Sequence, residues 1–121
     1  MKKVFVYGSL KKNFQNHSLL KGSKFIGNAE ISGYKMYNIG YFPGIVESDA
    51  KDVVKGEIYE INMDVETRLD YLECIPDLYR KEYVNTEFGV CIVYVYNRDI
   101  SMCKPVNSGE WTIDELNNMF Y

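Results

Sequence analysis

One glutamate of this chain lies where an acidic residue is unusual. Glu73 follows Val65 and Leu69 by eight and four residues, which places it at the edge of an apolar helix stripe. Its neighbours in the sequence are uncharged from residue 71 to residue 76. Burial among them, and the negative end of a helix, would raise its pKa above about 4.3. Such a residue could act as a general base near neutral pH, although most glutamates in this position simply extend into solvent.

A second chemical feature is the Gly8-Ser9 pair. It follows the run VFVY, whose β-branched and aromatic residues predict a strand that ends at this pair. A strand that ends this way leaves backbone N–H groups unpaired, and Gly8 has no Cβ to keep a ligand away from the main chain. A small anion could be held there without a charged side chain. Taken alone, the pattern is more simply an ordinary strand end and its turn.

Other kinds of chemistry have weaker support in the residues. Ser9 lacks the G-x-S-x-G pattern of a nucleophile elbow, and His17 is the only histidine. The three cysteines have no C-x-x-C spacing, so a zinc site has too few plausible ligands, and at least Cys91 is expected to be a buried free thiol. Neither glycine-rich mononucleotide motif is present. We therefore expect no metal and no cofactor.

Composition excludes further classes of function. The net charge is −3, and no basic stretch is longer than Lys11-Lys12, so no nucleic-acid partner is expected. No apolar run approaches the length of a membrane span, and the first residues lead directly into a strand. With 121 residues, 46% of them hydrophobic, we expect a single domain over 1–121 in the cytoplasm. The oligomeric state is left open.

The elements that must position these groups are mostly strands. After the first strand, apolar patterns predict strands at 25–31, 34–39, 53–61, 79–86 and 90–96, the last two paired as a hairpin. A helix is predicted over 63–73, capped by Asn62 or Asp64. A second helix should follow the capping box that begins at Thr112, with Ile113, Leu116 and Phe120 as its apolar face. This order does not alternate as βαβα, which favours an α+β domain with a curled sheet or small barrel.

Together these features resemble the γ-glutamylcyclotransferase-like (AIG2-like) family. Residues 4–11, VFVYGSLK, are similar to its YGSL or YGTL signature, and residues 69–80, LDYLECIPDLYR, to its LDxxE signature followed by a tyrosine. Four shorter segments fit family habits in the same order, namely GYKMY at 33–37, FPG at 42–44, GEIY at 56–59 and SGEW at 108–111. Within the family, Asn16-His17 and ECIP at 73–76, followed by Tyr79, are most similar to the γ-glutamylamine cyclotransferase branch.

The resemblance implies a small mixed β-barrel with flanking helices. It also implies a small-molecule γ-glutamyl substrate, converted to 5-oxoproline and a free amine by attack of the substrate's own α-amine, so that no cofactor is required. Glu73 would be the general base and acid, Tyr79 would place its hydroxyl near the substrate or Glu73, and a cradle would be formed by Tyr7, Gly8, Ser9 and Leu10. The alternative is a non-catalytic binding module for a small acidic metabolite. The sequence leaves the identity of the leaving amine open.

Overall fold

The computed structural model describes residues 1–118 of the chain. In that part, eight strands are found: β1 (Lys2–Val6), β2 (Lys24–Ser32), β3 (Tyr34–Asn38), β4 (Pro43–Glu47), β5 (Val53–Ile61), β6 (Tyr79–Thr86), β7 (Gly89–Tyr96) and β8 (Lys104–Val106). The helices are α1 (Met63–Leu72) and α2 (Ile113–Asn118), and a short 3-10 helix spans His17–Leu20. The strands and helices therefore follow one another much as the sequence predicts.

The strands form two separate sheets. Five of them are arranged in the order β2-β5-β1-β7-β6, and β3 lies between β4 and β8 in the other sheet. The central strand β1 is antiparallel to β5 and parallel to β7. The α+β class is confirmed, but the two sheets do not form one closed barrel within residues 1–118.

The larger sheet is covered on both faces, which explains the apolar composition of β1. Side chains alternate along a strand, so Phe5 and Tyr7 pack on one face with buried residues of the smaller sheet, such as Met36 and Ile45. Val4 and Val6 pack on the other face with Leu69 and its neighbours from α1. Leu69 is fully buried, which contributes about 1.5–3 kcal/mol of hydrophobic stabilisation.

Helix α1 has a defined cap at each end. The Asn62 side chain accepts a hydrogen bond from the Val65 amide at 2.9 Å, so Asn62 and not Asp64 is the N-cap. At the other end, the amides of Cys74 and Ile75 bond to the carbonyls of Tyr71 and Asp70, which is the Schellman arrangement. Cys74 occupies the left-handed position that glycine usually takes, with φ of 51°. The helix therefore ends at Leu72, with Glu73 as its C-cap.

The hairpin and the second helix are also found where they are predicted. Strands β6 and β7 pair from Tyr79 with Tyr96 to Thr86 with Gly89. The Glu115 amide donates to the Thr112 hydroxyl at 3.2 Å, as the capping box predicts. Ile113 is 50% exposed, so this residue of the predicted apolar face is not buried. The predicted partner Phe120 lies outside the described residues.

Candidate functional site

A cavity of about 150 Å³ opens where the turn after β1 meets the end of α1. Strands β6 and β7 and the start of β4 form its other walls. All six residues singled out from the sequence line it, namely Tyr7, Gly8, Ser9, Leu10, Glu73 and Tyr79. The further lining residues are Phe5, Val6, Gln15, Asn16, Phe42, Pro43, Leu72, Leu78 and Tyr94. The fold thus brings the turn and the carboxyl group, which are some sixty residues apart in sequence, to the same cavity.

The turn after β1 is held by residues that follow it. The Asn16 amide donates to the Ser9 carbonyl at 2.8 Å, and the Asn16 side chain donates to the Ser9 hydroxyl at 3.0 Å. His17 Nδ1 lies 2.9 Å from the Leu10 carbonyl, which can only accept, so this nitrogen carries the proton. Within residues 1–118, the amides of Gly8, Ser9 and Leu10 donate to no acceptor. The turn is therefore fixed, and its N–H groups remain available to a ligand.

The structure shows why residue 8 is a glycine, and the reason differs from the one that the sequence suggests. A Cβ at Gly8 would lie 2.6 Å from Cγ and 2.7 Å from Cδ of Pro43. The space that a ligand was expected to use beside the main chain is thus filled by the proline ring. Gly8 is required for the packing of β4 against the turn, and any ligand must approach the amides from the cavity side.

Glu73 is a partly buried acid without a partner. Its carboxyl group forms no hydrogen bond and no ion pair within the described residues. Burial raises the pKa of Glu73 to about 7, because the charged form loses its hydration. Its place as C-cap puts it beside the negative end of α1, which also disfavours a carboxylate. At neutral pH this group can therefore both accept and release a proton.

Three tyrosine hydroxyls in the cavity wall donate their hydrogen bonds to other groups of the protein. Tyr7 donates to the Tyr94 carbonyl at 2.6 Å, Tyr79 to the Pro43 carbonyl at 2.7 Å, and Tyr94 to Asp70 Oδ1 at 2.7 Å. Burial, and to a smaller degree the charge of Glu73, hold the pKa of Tyr79 well above its usual range. Each hydroxyl oxygen can therefore only accept a further hydrogen bond. Tyr79 lines the cavity as predicted, but it donates to Pro43 and not to Glu73.

Two polar residues of this region were not among the candidate site residues that the sequence suggested. Tyr94 lines the cavity, and Asp70, one turn before Glu73 in α1, receives its hydrogen bond. The alternation along β7 places Tyr94 on the same face as Ile92 and Tyr96, which could have indicated its orientation. Asp70 belongs to the LDxxE segment, although the sequence alone gives it no partner.

Charged and metal-binding groups are scarce around the cavity. Among the lining residues described, Glu73 is the one carboxylate, and none is basic. Residues 1–118 contain no group of three or more histidine, cysteine, aspartate or glutamate side chains that could hold a metal ion. Over the same residues, no helix is long and apolar enough to span a membrane. An anionic ligand group would thus depend on uncharged donors, such as the backbone N–H groups of the turn.

Comparisons with known proteins agree in the family that they indicate. Residues 4–113 match the family model described as "Gamma-glutamyl cyclotransferase, AIG2-like". The Escherichia coli K12 protein YtfP, called a gamma-glutamylcyclotransferase family protein, is 31% identical over 109 residues, covering 90% of this chain and 95% of YtfP. MJ1514 of Methanocaldococcus jannaschii is 44% identical over 87 residues, covering 70% and 72% of the two chains. The crystal structure of PH0828 from Pyrococcus horikoshii superimposes with a TM-score of 0.84 at 30% identity, over 100% of this chain and 98% of the other.

Proposed function

Because this chain belongs to the AIG2-like gamma-glutamyl cyclotransferase family, we propose that it converts a γ-glutamyl amine, or a related γ-glutamyl compound, to 5-oxoproline and a free amine. The observation that carries the proposal is Glu73, an unpaired acid with a pKa raised to about 7, in the same cavity as the free amides of the turn. A protein that only binds has no need for an acid tuned in this way.

The two halves of the cavity fit the two ends of an α-amino acid. The substrate's α-carboxylate is placed against the amides of Gly8, Ser9 and Leu10, which supply donors without a basic side chain. Its α-amino group then lies toward Glu73 and the tyrosine oxygens, which supply acceptors. This orientation uses the only carboxylate among the described lining residues.

The reaction needs no nucleophile from the protein. The α-amine attacks the γ-carbonyl carbon, the new C–N bond closes a five-membered ring, and the C–N bond to the departing amine breaks. The α-ammonium has three protons and the lactam nitrogen keeps one, so two protons leave the attacking nitrogen. Glu73 accepts each in turn and passes it to the leaving nitrogen, which departs as an ammonium, so that Glu73 acts first as base and then as acid. Holding the folded-back conformer makes the attack intramolecular, for which effective molarities of about 10⁵–10⁸ M are known.

The raised pKa of Glu73 suits this proton transfer. An α-amino group has a pKa of about 7.7–8.0, whereas an ordinary glutamate has about 4.3. The difference makes an unperturbed glutamate a weak base toward the ammonium. Burial brings the pKa of Glu73 to about 7, close to that of the group it must deprotonate. The apolar walls formed by Leu72, Leu78 and Phe42 also limit water, which favours ring closure over hydrolysis.

Turnover of defined substrates tests the proposal. The full chain is incubated with γ-glutamyl-lysine, a γ-glutamyl amino acid and glutathione, and 5-oxoproline is measured. At least one compound should be converted, and Glu73→Gln should reduce kcat by about 10²–10⁴-fold. Glu66→Gln is the matched control, since it changes the same side chain type in the same helix but does not line the cavity.

The outcomes separate the proposal from its alternative. Full activity of Glu73→Gln would contradict the mechanism. Binding of γ-glutamyl compounds or 5-oxoproline without any turnover would favour a binding module for a small acidic metabolite. Preference for γ-glutamyl-lysine over the other compounds would place the protein with the γ-glutamylamine branch. The proposed compartment is the cytoplasm, where the free state of Cys74, Cys91 and Cys103 is the usual one.

A further inference from the structure

A chain of hydrogen-bonded side chains, three of them charged and the last a tyrosine, leads from the protein surface to the cavity. Lys81 Nζ lies 2.7 Å from Asp70 Oδ2 and 2.7 Å from Glu66 Oε2. The other oxygen of Asp70 accepts the Tyr94 hydroxyl proton at 2.7 Å. Asp70 precedes Glu73 by three residues in α1, so both lie on the same side of the helix. Tyr94 is the member of this chain that lines the cavity.

The chemistry of Asp70 fixes the direction of its hydrogen bond with Tyr94. A carboxylate can only accept, and Lys81 holds it as a counter-ion, so Tyr94 must be the donor. The tyrosine proton is therefore directed away from the cavity, and the oxygen keeps its lone pairs for a ligand. Without this constraint the hydroxyl could rotate and present a donor, which an ammonium group would repel.

We propose that Tyr94 accepts a hydrogen bond from the substrate's α-ammonium, and that Asp70 is the positioning residue that keeps this hydroxyl an acceptor. The inference rests on the proposed function for the identity of the ligand. The ammonium would then be held between the Tyr94 oxygen and Glu73, which is the group that removes its proton. Selectivity for an α-amino group in the substrate follows from this pair of acceptors.

The test measures what the α-amino group contributes to binding. Calorimetry compares a γ-glutamyl amide with its analogue that lacks the α-amino group, in a Glu73→Gln background that slows turnover. In that background the amino compound should bind at least about tenfold more tightly, since a hydrogen bond to a charged group is a strong one. Tyr94→Phe should remove about tenfold of this preference, because it lacks the accepting oxygen. Asp70→Asn should remove about as much, because the asparagine amide can donate to the Tyr94 oxygen and so reverse the direction of this hydrogen bond.

A double-mutant cycle separates positioning from a general structural effect. If Asp70 acts through Tyr94, adding Asp70→Asn to Tyr94→Phe should cause no further loss of amino-group preference. A general structural defect would instead weaken the binding of both ligands alike, so that Asp70→Asn alone would lower both affinities and leave the amino-group preference unchanged. Glu66→Gln is the matched control, because it removes the other carboxylate bound to Lys81 without contacting Tyr94. It should leave the preference unchanged.

The outcomes also distinguish this inference from the cyclotransferase proposal. If the protein with Glu73 intact forms 5-oxoproline while Tyr94→Phe and Asp70→Asn keep the full amino-group preference, the positioning role is wrong and the reaction stands. If no substrate is converted but the preference is present and lost in both variants, the positioning role stands and the reaction is wrong. Absence of binding by either ligand would overturn both.

Discussion

The ring of Pro43 occupies the place where a side chain of residue 8 would be. A Cβ on Gly8 would lie 2.6 Å from Pro43 Cγ, and the carbonyl of the same proline accepts the Tyr79 hydroxyl at 2.7 Å. Pro43 therefore links the turn after β1 to the opposite wall of the cavity. The glycine of the turn is therefore needed for the shape of the cavity, whereas its N–H donor is one that any residue except proline supplies.

This contact predicts the effect of Gly8→Ala. The added methyl group must displace Pro43, so we expect a loss of about 1–3 kcal/mol in the free energy of unfolding, measured by urea denaturation. Pro43→Ala removes the ring atoms but keeps the carbonyl that Tyr79 uses. In that background Gly8→Ala should therefore lower the free energy of unfolding by clearly less. Equal costs in both backgrounds would show that the clash with Pro43 is not the cause.

The raised pKa of Glu73 predicts how stability depends on pH. The unfolded glutamate loses its proton near pH 4.5 and the folded one near pH 7, so between these values the folded state holds a proton that the unfolded state lacks. The free energy of unfolding should therefore decrease as pH rises through this window. Glu73→Gln removes the effect, and the variant should be about 1–3 kcal/mol more stable at pH 8, a gap that closes toward pH 4.5.

Glu66→Gln is the control for this measurement, because its effect on the free energy of unfolding should have the opposite sign. A hydrogen bond from Lys81 lowers the pKa of Glu66, so its ionised form stabilises the fold above pH 4.5. Replacing it should destabilise the protein at neutral pH, and that loss should disappear as the pH falls below the lowered pKa. Denaturation curves at several pH values measure both effects. A Glu73→Gln variant less stable than the parent at pH 8 would contradict a desolvated carboxylate.

The same pKa predicts the pH profile of the proposed reaction. A general base must be ionised in the free enzyme, so kcat/KM should rise about tenfold per pH unit below a midpoint of about 7 and level above it. Leu72 lines the cavity beside Glu73, and Leu72→Asn would hydrate this wall. Because burial causes the shift, that variant should move the midpoint to lower pH. A profile that is flat from pH 5 to 8 would argue against Glu73 as the base.

The hydrogen bond between Tyr79 and Pro43 predicts the effect of Tyr79→Phe. Loss of the hydroxyl leaves a buried carbonyl without its donor, which should lower the free energy of unfolding by about 1–3 kcal/mol. If the Tyr79 oxygen also accepts from the substrate, KM should rise. The matched control is Tyr71→Phe, since Tyr71 is 88% exposed. Equal small effects of the two substitutions in thermal unfolding would rule out a significant role for the bond to Pro43.

The left-handed residue at the end of α1 offers a stabilising substitution. Cys74 has φ of 51°, a conformation that costs a residue with a Cβ about 1–2 kcal/mol. Its side chain is exposed, so little packing is lost on removal. We expect Cys74→Gly to raise the free energy of unfolding by about 1 kcal/mol. Cys74→Ala retains the Cβ and should bring no gain, which chemical denaturation of the two variants can check.

Local patterns were sufficient to predict much of the fold. The apolar run of β1 and its end at Gly8 follow from residues within a few positions of each other, as does the β6–β7 hairpin. The start of α1 was predicted in the same way, with Asn62 or Asp64 as its cap, and the structure selects Asn62. Glu73 was singled out for the same reason, since its place beside an apolar stripe is a property of one helix. Ile113, at the start of α2, is 50% exposed although its pattern predicts an apolar face, because burial depends on the packing of the helix and not on its periodicity.

The sequence by itself determined the α+β class and the acid with an apolar surrounding, because each depends on periodicity or capping over a short stretch. The two signature segments were identified by their resemblance to the family. Only the tertiary structure decided what these segments meet. The parallel pairing of β1 with β7 brings Tyr94 to the cavity, and the packing of β4 fills the space beside Gly8 with Pro43. The two sheets, rather than a closed barrel, were decided in the same way. Such contacts join residues far apart in the chain, and no local propensity encodes which distant strand becomes the neighbour.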